Sequence, residues 1–137
     1  MSILPASAYS LWEIARPQQW VKNGFVFAPL IFAKEISNLP ALERTLLGFI
    51  LFCLFSSCVY MINDIADLER DRLHPQKCKR PLPSGRLSIR TVIGTCNVLF
   101  LIALVGSACL SRQFMFIGLI YMPFHLLYSL GGKSIVV

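Results

Sequence analysis

Three stretches without a formal charge constrain this chain more than anything else in it. Nineteen uncharged residues separate Arg44 from Asp64, twenty-one separate Arg90 from Arg112, and twenty separate Arg112 from Lys133. A helix rises about 1.5 Å per residue, so each run can cross the roughly 30 Å of a bilayer's hydrocarbon. Only 15% of residues are charged and 55% are hydrophobic, far from the balance of a soluble domain. The chain reads as a membrane protein. A fourth run, WVKNGFVFAPLIFA from Trp20 to Ala33, carries Lys22 near its start and Pro29 within it. It is expected to span too, beginning near Leu11, with Arg16 and Lys22 at headgroup level. The expected fold class is all-α, a multi-pass membrane helical bundle of about four transmembrane helices. It forms a single domain over residues 1–137, with spans at about 11–33, 44–66, 90–111 and 113–131 and a loop at about 72–87.

Charge placement gives an orientation. The stretch from Asp67 to Arg90 inclusive holds seven basic residues, whereas KEISNLPALER (Lys34 to Arg44) has two of each sign. The positive-inside rule puts the basic loop, and with it both termini, on the cytoplasmic side of the plasma (inner) membrane. No signal peptide is expected, because the first basic residue is Arg16 and no short apolar core precedes a small-residue cleavage site. The net charge of +6 is strung beside apolar spans, where orientation and anionic headgroups account for it, so no nucleic-acid partner is expected. Five cysteines at 53, 58, 78, 96 and 109 form no C-x-x-C pair. They read as free thiols rather than a disulfide framework or a zinc site.

Helix two is expected to start near Leu42, after Pro40, and to run past the membrane surface to about Arg72, where His74-Pro75 stops it. Prolines 75, 81 and 83 with Ser84-Gly85 make the next stretch a loop. Helix three begins near Ser88, a suitable N-cap, and helix four covers about Gln113 to Leu130, ended by Gly131-Gly132.

The junction of helix two and the loop carries the chemistry. On a helix Asp64, Asp67 and Asp71 fall within an arc of about 60°, while Glu69 points away. Stacked like charges at the edge of hydrocarbon repel one another unless a cation resolves them. Oxygen-only donors suit a hard ion, Mg²⁺ above all, which takes one or two carboxylates and completes its shell with water and phosphate oxygens; Asn63 can add an amide contact. A solvated helix end neutralised by Arg70 and Arg72 is the bland alternative. Lys77, Lys79 and Arg80 follow within nine residues of Asp71. Carboxylates for a metal beside cations for phosphate oxygens make a diphosphate–metal site. Arg86 and Arg90 read as orientation charges. Lys22 either snorkels or meets an anion. His74 either caps the helix or takes part in catalysis, and His125 reads as packed in the bundle interior.

These residues resemble the UbiA superfamily of membrane prenyltransferases, whose first acidic motif has the form N-D-x-x-D-x-x-x-D. Here it reads NDIADLERD, Asn63 to Asp71, and continues as RLHPQKCKRPLPSG. RPQQWVKNGFVFAPLIFA (Arg16 to Ala33) and LLYSLGGKSIVV (Leu126 to Val137) are similar to the decaprenyl-phosphate phosphoribosyltransferase branch. The resemblance implies transfer of phosphoribosyl from phosphoribosyl diphosphate to a polyprenyl phosphate. It further implies metal held by Asp64, Asp67 and Asp71, supported by Asn63, and phosphate groups bound by Lys22, Lys77 and Arg80, with Mg²⁺ as cofactor and the lipid chain between apolar helices.

The likeness also implies a bundle of nine spans with a second aspartate-rich motif, yet no aspartate follows Asp71. A partial UbiA-type fold, truncated and inactive alone, is therefore expected, with a second chain as one source of the missing helices. Three alternatives stand beside it: prenyl transfer from a prenyl diphosphate to an aromatic acceptor, a non-catalytic remnant, and a small adaptor whose basic loop binds anionic lipid.

Overall fold

The computed structural model describes residues 6–131, and among them there is no strand. In order come α1 (Ala6–Ala15), a 3₁₀ segment (Pro17–Phe27), α2 (Ala28–Phe32), α3 (Leu39–Ala66), α4 (Leu68–Leu73), a 3₁₀ turn (Lys77–Lys79), α5 (Ile89–Leu110) and α6 (Arg112–Gly131). Among the described residues α3 and α5 are the two helices long and apolar enough to cross a membrane.

α3 is the mast of the bundle. Asn38 caps it, its side-chain oxygen accepting from the Ala41 amide at 3.3 Å. Pro40 sits in the first turn, where a missing N–H leaves no bond unmade, so the helix starts at Leu39 rather than near Leu42. Its 28 residues extend about 42 Å, and α1, the 3₁₀ segment, α2, α5 and α6 all pack against it. At the other end Asp67 (φ −92°, ψ 4°) separates α3 from α4. The expected continuous helix to about Arg72 is thus bent at one residue. Helical hydrogen bonds continue on both sides, from the Asp67 amide to the Asn63 carbonyl at 2.9 Å and from the Asp71 amide to the Asp67 carbonyl at 2.8 Å. His74 is extended before Pro75 and stops α4, as its sequence predicts.

The segment 11–33, expected as one helix, is broken instead. Pro17 disfavours a right-handed helical backbone at the residue before it, and Arg16 turns left-handed (φ 52°, ψ 56°). Eleven residues of 3₁₀ helix follow before α2 opens with Pro29 in its first turn. Because side chains three apart eclipse on a 3₁₀ helix, Trp20 and Asn23 stand on one ridge. Both reach α3: Trp20 Nε1 donates to Ser57 Oγ, and Asn23 Nδ2 to Ser56 Oγ, each at 3.0 Å.

α5 starts where its cap predicts, with Ser88 Oγ accepting from the Thr91 amide at 3.1 Å. Ser111 repeats the device for α6, accepting from the Phe114 amide at 3.0 Å, and Arg44 donates to the Leu110 carbonyl at the end of α5, at 3.3 Å. Gly132, the expected stop of the last helix, lies outside the described residues. All five cysteines are free thiols. Cys58 and Cys96 donate to each other's carbonyls at 3.5 and 3.8 Å, lacing α3 to α5.

Between apolar helices in lipid, close packing rather than water exclusion decides association. Two glycines make it possible here. A Cβ on Gly106 would lie 2.6 Å from Leu51 Cδ2, and one on Gly118 would lie 2.6 and 2.7 Å from Phe55 Cε2 and Cζ. Leu51 can change rotamer, but the Phe55 ring is fully buried and edge-on to Phe100. Gly118→Ala should therefore destabilise by about 1–3 kcal/mol, the usual cost of overpacking, and Gly106→Ala by less. Thermal midpoints in detergent micelles check this; a larger drop for Gly106→Ala would contradict it.

Candidate functional site

Asp64 and Asp71 are 5% and 1% exposed, which a carboxylate tolerates only with partners. Asp64 lies in the last turn of α3 and Asp71 in α4. Arg80, from the loop, links them: its Nη1 is 2.9 Å from Asp71 Oδ2 and 3.5 Å from Asp64 Oδ1. Lys77 Nζ adds a second cation 3.7 Å from Asp71 Oδ1. The Arg16 guanidinium bonds directly to the same oxygen, Asp64 Oδ1, with its Cζ 5.2 Å from the centroid of the Tyr60 ring. Three cations thus face two buried carboxylates. The surplus of positive charge suits an incoming anion.

The loop is shaped to deliver these groups. The His74 amide donates to the Asp71 carbonyl at 3.2 Å, and its Nδ1 accepts from the Gln76 and Lys77 amides at 3.2 and 3.3 Å, curling the chain toward α4. Just beyond Arg80, Pro81 and Leu82 are buried, as is Leu87 further along.

Asp67 is half-buried and stands 4.0 Å from Arg70. Glu69 points away from the cluster, as its phase predicts, and pairs with Arg72 at 2.8 Å. The three aspartates do not converge into a ready cage: among the described residues no group of three or more His, Cys, Asp or Glu is placed to hold a metal. The physical reason is Arg80, whose guanidinium occupies the space between Asp64 and Asp71. The donors still fit Mg²⁺ in its other mode, with one or two carboxylates and a shell completed by phosphate and water. They are hard oxygens, and two of them, Asn63 Oδ1 and Asp71 Oδ1, are buried without a hydrogen-bond partner among the described residues, Asp71 Oδ1 having only the Lys77 ion pair at 3.7 Å.

Of the residues singled out from sequence, Asp64, Asp71, Lys77 and Arg80 meet in one cluster. Lys22 does not join it: it is exposed on the 3₁₀ segment and makes no ion pair among the described residues. Arg16, read as a headgroup charge, is instead the partner of Asp64, 48 residues away. Only its position before Pro17 hinted at an unusual backbone. Trp20 and Asn23 were also missed as polar contacts of α3, being hidden in a segment that scores as apolar.

Beside the cluster lies an apolar cavity of about 440 Å³, walled by Leu11, Trp12, Trp20, Met61 and Leu99 among others. Ala15 and Met61, both in its wall, are one residue from Arg16 and one helical turn from Asp64. The arrangement sets a charged cluster next to a hydrocarbon-lined groove.

Comparison with known proteins gives the same outline. The profile of the UbiA prenyltransferase family matches residues 24–137. The decaprenyl-phosphate phosphoribosyltransferase of Mycobacterium tuberculosis is 32% identical over 122 residues, 86% of this chain and 40% of that protein. The nodulation protein NoeC of Azorhizobium caulinodans is 41% identical over 95 residues, 69% of this chain and 30% of that protein. The digeranylgeranylglyceryl phosphate synthase of Sulfurisphaera tokodaii is 34% identical over 106 residues, 77% of this chain and 37% of that protein. The chain spans 40% or less of the length of these curated relatives. With its acidic motif, its apolar helices and a match over most of its length, the chain belongs to the UbiA prenyltransferase family, a family of integral membrane proteins that generally use Mg²⁺.

Proposed function

We propose that this chain forms the diphosphate-holding part of a transferase that moves phosphoribosyl from phosphoribosyl diphosphate to a polyprenyl phosphate. The bond from the ribose carbon to the diphosphate oxygen breaks, a bond from that carbon to the lipid phosphate oxygen forms, and diphosphate leaves. The observation that carries the reading is the cluster of Arg16, Lys77 and Arg80 around buried Asp64 and Asp71. Departing negative charge must be stabilised as the bond breaks, and these cations are fixed where they can donate to phosphate oxygens. Asp64, Asp67 and Asp71 would hold Mg²⁺, supported by Asn63, and the ion when bound supplies further neutralisation of the leaving group. Lys22 can meet another phosphate group, and the apolar groove is assigned the lipid chain. No protein nucleophile is required.

In this reading α6 and the α1 to α2 segment lie in the bilayer with α3 and α5, since their outward residues, such as Phe32, Ile120 and Phe124, are apolar and exposed. The basic loop and both termini are placed on the cytoplasmic side of the inner membrane. Turnover would need the further helices of the family fold, in the same polypeptide or from a second chain.

A second reading, transfer of a prenyl group from a prenyl diphosphate, is favoured by the synthase of Sulfurisphaera tokodaii among the relatives. The same aspartates would serve it. Titration calorimetry separates the two: the detergent-solubilised chain should bind phosphoribosyl diphosphate only with Mg²⁺ present, and more tightly than geranylgeranyl diphosphate. Asp67→Asn should weaken that binding about tenfold, the equivalent of roughly 1.4 kcal/mol. Metal-independent binding would overturn the proposal, and a reversed preference would select the prenyl donor.

Arg80→Met should both abolish this binding and destabilise the chain by about 3 kcal/mol, because two buried carboxylates lose a shared partner; an unchanged melting temperature would refute the bridging role. Topology has a native probe in Cys78, half-exposed in the loop. A membrane-impermeant maleimide should label it in inside-out vesicles and not in intact cells, and the opposite pattern would reverse the orientation.

A further inference from the structure

One ion pair outside the cluster stays unexplained by the transferase reading. Arg86 grips Glu13 with two bonds, Nη1 to Oε2 at 2.9 Å and Nη2 to Oε1 at 3.2 Å, joining residues 73 apart in sequence. Its Nη2 also donates to the Lys79 carbonyl at 2.7 Å. Both side chains are partly exposed, 40% and 36%, and an exposed pair adds little to stability. A bidentate guanidinium–carboxylate contact instead fixes geometry.

What it fixes follows from its neighbours. The turn Lys77–Lys79 has no buried residue of its own, and apolar packing begins only beyond Arg80, at Pro81 and Leu82. The Lys79 carbonyl is in the peptide bond that leads into Arg80. On the other side, Glu13 precedes Arg16 by one turn, and the Arg16 amide donates to the Glu13 carbonyl at 3.2 Å. The contacts close a ring: Glu13 to Arg16, Arg16 to Asp64, Asp64 to Arg80, then through Lys79 to Arg86 and back to Glu13. Without Glu13–Arg86 the ring opens, and Arg16 and Arg80 keep Asp64 as their common tether but lose the second constraint on their spacing. The left-handed backbone at Arg16 is a conformation that persists only where its surroundings over-determine it.

We propose that Glu13 and Arg86 are positioning residues, which close this ring and thereby set the two guanidinium groups at the separation a diphosphate requires. The inference rests on the diphosphate reading of the cluster. Neither residue touches the diphosphate; each acts through Arg16 and Arg80.

The test is a double-mutant cycle on the full chain in lipid nanodiscs, read by Mg²⁺-dependent binding of inorganic pyrophosphate. Glu13→Gln and Arg86→Gln should each weaken binding by about three- to tenfold, and the double variant should be no weaker than either single one, as expected of partners in one interaction. Melting temperatures should stay at the wild-type value, and Glu13→Asp should recover part of the affinity. Unchanged affinity in the single variants, or losses that multiply in the double, would overturn the proposal.

Hydrogen exchange of the Lys79 and Arg80 amides is a second measurement that needs no ligand. If the wild-type chain takes up no pyrophosphate, the diphosphate reading fails, and exchange alone then decides whether the ring exists. Faster exchange in Glu13→Gln supports it, and unaltered exchange overturns it.

Discussion

Two carboxylates shut away from water at the end of an apolar helix must be neutralised, and Arg80 is the residue that reaches both. Much of the local structure follows from that demand. The loop after α4 has to fold back instead of trailing into solvent, which His74 begins by accepting two amides and Pro81 and Leu82 complete by burying themselves. The chain before the bundle has to bring Arg16 to the same carboxylate, and the left-handed backbone ahead of Pro17 turns it there. Removing either partner type would leave an uncompensated buried charge, which costs more than the pair contributes. The site therefore carries its own selection for mixed charge.

A second layer of polar contacts sits deeper. Asn23 and Trp20 bond Ser56 and Ser57, Ser57 Oγ donates to the Ala15 carbonyl at 2.8 Å, and the Tyr121 hydroxyl lies 3.3 Å from Ser56 Oγ. In a bilayer, backbone outside a regular α-helix is tolerated where protein covers it. These bonds bind the 3₁₀ segment to α3 and so give its irregular backbone a protein partner along one side. The same contacts hold the wall of the apolar groove against the helix that bears Asp64.

The sequence was most readable where the information is local. Ser88 as a cap, the stop at His74-Pro75, the phase that turns Glu69 away, and the grouping of Asp64 and Asp71 with Lys77 and Arg80 all depend on residues within about one to four turns, or within a short loop. Long uncharged runs likewise announced α3 and α5. The start expected after Pro40 falls too late because proline in a first turn is harmless, which leaves Asn38 as the cap. The break in 11–33 was hidden by its apolar composition, which says how a segment is solvated and not how its backbone winds. Arg16 could not be paired with Asp64 from spacing, since the contact is made by tertiary folding across 48 residues. Lys22 could be read either as snorkelling or as meeting an anion, and the 3₁₀ segment leaves it exposed.

The glycine notches in α5 and α6 reach further than packing. Leu51 and Phe55 are four apart, one above the other on a single ridge of α3, and each enters a different neighbour, at Gly106 and Gly118. Two teeth engaged in two sockets act as a vernier, because sliding α3 along its axis would drive both into filled positions at once. Asp64 lies nine residues beyond Phe55, about 13–14 Å further up the same rod. The height of the acidic motif above the α5 and α6 contacts is thus gauged by two missing side chains.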